Sequence, residues 1–124
     1  MIRTLATLTL ATASLLTQVG AAAAPAPPKF EVWASNVNVR GSYDATGPCW
    51  SSPPRPSPTN CERIMGQFDP GYRFPVYCQV ANPQAVVGGN PYWVKTEVPD
   101  LSTGWIASYF VKNPDNRLPG VPDC

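Results

Sequence analysis

The chain has 124 residues, nine Lys or Arg against eight Asp or Glu, no histidine, 16 prolines, nine glycines and four cysteines. That length suits one domain, and a net charge near zero excludes the basic excess typical of nucleic-acid binders and electrostatic capture by anionic lipid. Without histidine there is no His-based triad or Cys–His dyad.

Residues 1–23 read as a secretory signal peptide. Met1-Ile2-Arg3 gives a positive start, residues 4–19 carry no charge and no proline, and residues 21–24 are four alanines. That order is the layout of a cleavable export signal. Five threonines, Ser14 and Gln18 dilute the apolar stretch, which falls short of the ~20 strongly apolar residues of a membrane anchor. Cleavage is expected after Ala23, with Ala22 and Ala24 as neighbouring options, so no membrane insertion is expected of the mature chain. Removing Arg3 leaves eight basic and eight acidic residues.

Residues 24–29 form an Ala/Pro tether, expected to be extended and mobile. Beyond it no window sustains a 3.6-residue apolar period. Short β-type runs are separated by turn residues instead, the pattern of an all-β sandwich or barrel. The runs are 30–34 (FEVWA), 37–40 (VNVR), 64–68, 72–80, 92–98 (YWVKTEV) and 104–111 (GWIASYFV). Asp69-Pro70-Gly71 is a turn, with Pro to preset φ and Gly to accept φ > 0. In the run 72–80, strict alternation would put Tyr72, Phe74, Val76, Cys78 and Val80 on one face. Pro75 cannot donate to a ladder and must sit at an edge or bulge. The expected core is Val32, Val37, Val39, Ile64, Phe68, Phe74, Val76, Val94, Val98, Ile106 and Val111, thin for a domain of this size. Two segments read as loops: 41–60, with five prolines, and 81–91, with Gly88-Gly89. The tail 112–124 has no pattern but ends in Cys124.

An even cysteine count behind an export signal reads as disulfides. Four cysteines permit three pairings. Cys49–Cys61 is expected because these are nearest in sequence and bracket the proline-rich loop. Cys78–Cys124 then follows, and gives the tail an attachment.

The order of these runs resembles bacterial SH3-like (SH3b) domains. The residues that carry the resemblance are Val37-Asn38-Val39-Arg40, a turn-rich loop, Asp69-Pro70-Gly71 before a strand, Tyr92-Trp93 opening the next, and GWIASYFV at 104–111. The last run is also similar to the closing segment of eukaryotic SH3 domains, where Gly-aromatic-Ile precedes a short 3₁₀ turn. Tyr77-Cys78-Gln79 and the terminal Pro-Gly-Val-Pro-x-Cys resemble a secreted actinobacterial type carrying one such domain alone. The resemblance spans residues 30–111 and implies a small SH3-like barrel of about five strands, here with a long disulfide-closed loop. Gly41-Ser42-Tyr43 stands where the family usually has Ser-Gly-Pro, beside the usual groove.

No catalytic constellation, cofactor motif or metal-ligand spacing is present. The nearest to one is a carboxylate pair, Asp44 with Glu62, which would suit a small hydrolase. What remains is aromatic. Tyr43, Trp50, Trp93, Trp105 and Tyr109 fall on loops or strand ends that border the groove by resemblance, where large rings suit peptide or sugar faces. The expectation is a secreted, non-catalytic binding module without a cofactor. Its partner would be cell-wall peptidoglycan, through peptide or glycan, or an extracellular protein. A second reading is an inhibitor or effector that acts through the proline-rich loop. Trp50 is expected outside the barrel core.

Overall fold

The structure, a computed structural model, describes residues 6–13 and 25–124. Most of the expected signal peptide, including its cleavage region, lies outside the described residues. The domain is almost entirely β. Six strands run in the order β1 (Lys29–Phe30), β2 (Val37–Gly41), β3 (Arg63–Phe68), β4 (Phe74–Ala81), β5 (Tyr92–Glu97) and β6 (Thr103–Ala107), followed by a 3₁₀ turn at Ser108–Phe110. They form one curled antiparallel half-barrel in the order β1-β4-β5-β6-β2-β3. The expected run 30–34 is largely not strand. Only Lys29–Phe30 pairs with β4, after which Val32 makes a single bridge to Val111. That bridge carries the chain from the β4 edge to the residue just past the 3₁₀ turn. The residues before β1 are not a free tether: Pro28 accepts a 3.0 Å hydrogen bond from the Val76 amide.

The concave face buries Val32, Val37, Val39, Phe68, Phe74, Val76, Val94, Val98, Ile106 and Val111, with Phe68 and Phe74 stacked at 4.6 Å. Ten of the eleven expected core residues are therefore core. Ile64 is not; it is 52 % exposed. The cause is a bulge between β2 and β3. Val39 pairs with Gly66 while Arg40 pairs with Ile64, so Met65 is the extra residue. One inserted residue reverses which face the next side chains take. Ile64 is thereby sent outward with Arg40, and Met65 packs on the core instead.

A second bulge acts the same way in β4. Val76 pairs with Thr96 and Cys78 with Lys95, leaving Tyr77 unpaired. The expected alternation over 72–80 breaks there. Phe74 and Val76 face the core; Cys78 and Val80 face the other side, and Tyr72 is outside the strand. Gln79 takes the inward place and is fully buried. Its amide donates to the Leu118 and Val121 carbonyls at 3.0 and 2.8 Å and accepts from the Leu118 amide at 2.8 Å. Leu118 and Val121 complete the core, so the patternless tail is a packed element.

Both expected disulfides are present, Cys49–Cys61 and Cys78–Cys124. The first lies over the convex face of the sheet. Residues paired directly across a ladder share a face, which places Arg40, Trp105 and Lys95 together, and Trp93 with Ala107 and Val80. The long loop covers this face. Trp105 donates its indole N–H to Cys49 O at 3.0 Å and Asn82 donates its amide to Pro56 O at 2.9 Å, while Trp93 is held by the 81–91 loop through its bond to Ala85 O at 2.9 Å. Cys49, Cys61, Trp93, Trp105 and Ala107 form a second apolar cluster. Much of the sheet is thus covered on both sides, and the 21-residue segment that joins β2 to β3 is its second layer.

Candidate functional site

The loop does not cover the whole convex face. Between its end, β2 and the 3₁₀ turn it leaves a cleft of about 320 Å³. Trp93, Ala107, Phe110 and Val87 supply its apolar lining, and Pro58 is its border on the loop side. The polar wall comes from Ser35, Asn36, Asn38 and Arg40. β2 alternates buried and half-buried residues, so Asn38 and Arg40 project from the face opposite Val37 and Val39. Asn36 sits at φ 55°, a conformation asparagine tolerates better than most residues, and its backbone N–H donates to Asp69 Oδ1 at 2.8 Å. This ties the cleft's entrance loop to the Asp69-Pro70-Gly71 turn, whose Gly71 has the expected positive φ, 94°. Asn38 Oδ1 accepts from Gln67 Nε2 at 2.9 Å, which orients the amide and keeps its N–H donors available.

Arg40 is half-buried and no carboxylate lies within ion-pair distance of it among the described residues. The one ion pair there is Arg117 with Asp123, at 2.5 Å and exposed. A guanidinium beside an apolar floor and without an internal acceptor is a natural partner for a carboxylate, which it can engage with two parallel hydrogen bonds.

The five aromatic residues expected at the site separate into four places. Trp93 and Trp105 are only 2 % and 1 % exposed. Both belong to the second apolar cluster: their rings pack around the Cys49–Cys61 disulfide, and of the two only Trp93 reaches the cleft, as part of its floor. Trp50 is half-buried, 6.2 Å from the Trp105 ring, and donates its indole N–H to Ser42 O at 3.1 Å. It therefore anchors the loop to the sheet. Tyr43 lies at the far end of the loop, 79 % exposed, with the Arg63 guanidinium 4.1 Å over its ring. Tyr109 belongs to a separate cavity beside Trp33.

The carboxylates considered for hydrolysis are engaged locally. Asp44 is held below the ordinary aspartate range chiefly by the Thr46 side chain and then by its backbone amide. Glu62 accepts a hydrogen bond from Ser42 Oγ at 3.3 Å. Neither lines the cleft.

Sequence reasoning missed Asn38 and Arg40 as site residues although it singled out their strand. The signal was present: the polar half of Val-Asn-Val-Arg must face away from the core. It also missed Trp33, Phe110 and Gln79. Only Gln79 left no local trace, because its inward turn depends on the bulge. No family model, curated protein or solved structure matches this chain. Two disulfides in so small a domain are typical of extracellular proteins.

Proposed function

We propose that this chain is an extracellular, non-catalytic binding module of the SH3b type, whose cleft between β2, the long loop and the 3₁₀ turn takes a short carboxylate-bearing peptide. The stem peptides of the bacterial cell wall are the ligand class proposed. The observation that carries the reading is Arg40: a half-buried guanidinium without an acid partner, on the wall of an apolar-floored cleft with amide donors beside it. Support for an SH3-like module comes from the 3₁₀ turn at Ser108–Phe110, one residue after Gly104-Trp105-Ile106, where the resemblance to the closing segment of eukaryotic SH3 domains implies one.

The test is co-sedimentation of the mature protein with purified peptidoglycan, followed by titration with soluble stem peptide. Retention of wild type, and loss of at least tenfold in affinity for Arg40→Ala and Asn38→Ala, support the reading. A full tenfold is about 1.4 kcal/mol, no more than one hydrogen bond to a charged group contributes. Binding unchanged in Arg40→Ala, or no retention at all, rejects it. A second reading has one observation in its favour. Pro53, Arg55 and Pro58 remain exposed on a loop held by Cys49–Cys61, and a rigid loop has less ordering cost on binding a protein. Clean flow-through on peptidoglycan with capture of one extracellular protein, abolished by Arg55→Ala, would select it.

A further inference from the structure

The cleft does not account for Trp33. Its indole is 51 % exposed, yet it is one of the best-fixed aromatic side chains in the domain. The ring N–H donates to Tyr109 O at 2.7 Å. The ring meets Tyr109 edge-on, with centroids 5.4 Å apart and planes at 90°, and lies against Phe110 at 5.9 Å. The backbone is equally fixed, since the Trp33 amide donates to Phe110 O at 3.1 Å. Tyr109 is held in turn by Gly88: at φ 55°, a Cβ on this residue would overlap the Tyr109 ring. The two rings therefore form a rigid corner. The indole's one polar group is already used by the backbone, so its solvent-facing surface is purely apolar. Exposing such surface is unfavourable by roughly 25 cal/mol per Å², and nothing in the core requires it.

The corner opens onto a cavity of about 570 Å³ whose other lining is mostly polar and uncharged. Asn90, Asn116 and Ser108 contribute from two directions, with Asp115 at the rim. Asn116 and Asp115 use only their backbone carbonyls in internal hydrogen bonds. Among the described residues their side chains make none, so amide and carboxylate groups are available to a ligand. Lys112 and Asp115 balance each other in charge.

We infer that this cavity is a second binding site, separate from the Arg40 cleft, and that its ligand is a neutral pyranose oligosaccharide. A pyranose presents an apolar C–H face and a rim of hydroxyls that both donate and accept. The fixed indole matches the first; the free amide and carboxylate match the second, since each can bond adjacent hydroxyls. The volume falls in the range of small-molecule sites and suits one or two sugar rings. The charge balance disfavours a strongly anionic ligand, and the polar lining disfavours a lipid. A proline-rich peptide also seeks aromatic grooves, but as an extended helix with three residues per turn. Two rings at right angles make a corner for a compact ring rather than a track for that helix.

The experiment titrates the full mature protein with chitotetraose, cellotetraose and maltotetraose, and with a decaproline peptide, by backbone amide NMR and tryptophan fluorescence. Saturable binding of at least one oligosaccharide at millimolar or lower concentration is expected, with shifts at Trp33, Asn90, Tyr109 and Asn116. Trp33→Ala should weaken it at least tenfold. Asn116→Ala and Asp115→Asn, whose side chains make no internal hydrogen bond among the described residues, should each weaken it threefold or more without lowering the melting temperature. Arg40→Ala should leave it unchanged, which separates this site from the cleft. No saturable shift for any oligosaccharide at about 10 mM, a weak affinity even for single-site sugar binding, overturns the inference. So do shifts that persist in Trp33→Ala together with Asn116→Ala, or saturation by decaproline alone.

Discussion

Replacing Gln79 by methionine removes one buried amide while keeping the side chain's length and volume. Its three hydrogen bonds, to Leu118 N, Leu118 O and Val121 O, run between 2.8 and 3.0 Å, and the residue has no solvent exposure. Methionine satisfies none of the three. The backbone ties beside it survive, because Gln79 N donates to Pro122 O and Cys124 N donates to Gln79 O, both at 2.9 Å. The Cys78–Cys124 bond survives as well. The tail therefore stays tethered and its orphaned groups cannot all escape to water. An unsatisfied buried polar group costs about 1–3 kcal/mol. A carbonyl left short of a partner is tolerated better than an orphaned N–H, so the low end applies to the two carbonyls, and the total comes to about 3–5 kcal/mol. With a urea slope of about 1.5 kcal/mol per molar, reasonable for a domain this small, the midpoint should fall by about 2–3 M. Equilibrium urea unfolding under non-reducing conditions measures it, and hydrogen exchange at the Leu118 amide reports the local part. A midpoint within about 0.5 M of wild type, a change below 1 kcal/mol, would refute the claim that Gln79 fastens the tail to the core.

Trp50→Ala removes the contact with Trp105 and the bond to Ser42 O, so thermal melting should show a loss of about 2 kcal/mol, as for a partly buried aromatic. Binding at the Arg40 cleft should persist per folded molecule. Loop-closure entropy gives about 3 kcal/mol for Cys49–Cys61 and about 4 kcal/mol for Cys78–Cys124, which span separations of 12 and 46 residues. Paired Cys→Ser variants should therefore both melt lower, the second pair more. Asp44 and Asp100 are held below their usual value of 3.8 by hydrogen bonds, from the Thr46 side chain and the Ser102 amide respectively. A carboxylate with a depressed folded pKa contributes stability above the unfolded value and loses it as pH falls through the folded one. Stability should therefore decline below about pH 3.8, and Asp44→Asn with Asp100→Asn should flatten that decline in acid titrations followed by circular dichroism.

Much of the fold was legible along the chain because its signals are local. Pro70-Gly71 turns where proline presets φ and glycine accepts 94°. The β-type runs became strands at most of the expected places, since alternation of apolar and polar residues is enforced by the pleat itself. The disulfide pairing was legible too: a 12-residue loop brings Cys49 and Cys61 together readily, which leaves Cys78 for Cys124. The phase of each strand beyond a bulge was not legible. Met65 and Tyr77 carry no mark of being extra residues; only pairing with β2 and β5 makes them so, and each reverses the side chains on one flank, those before Met65 in β3 and those after Tyr77 in β4. That reversal exposed Ile64, buried Gln79 and moved Cys78 to the convex face. The fate of the tryptophans was likewise decided in three dimensions. Residues 41–60 read as a connection, yet they fold back as a layer over Trp93 and Trp105 while Trp33 stays open. Sequence determined that this chain would be a stapled β-domain with aromatic residues to spare. Which of them face a ligand depends on what the rest of the chain covers, and covering is a property of distant segments meeting, absent from any local pattern.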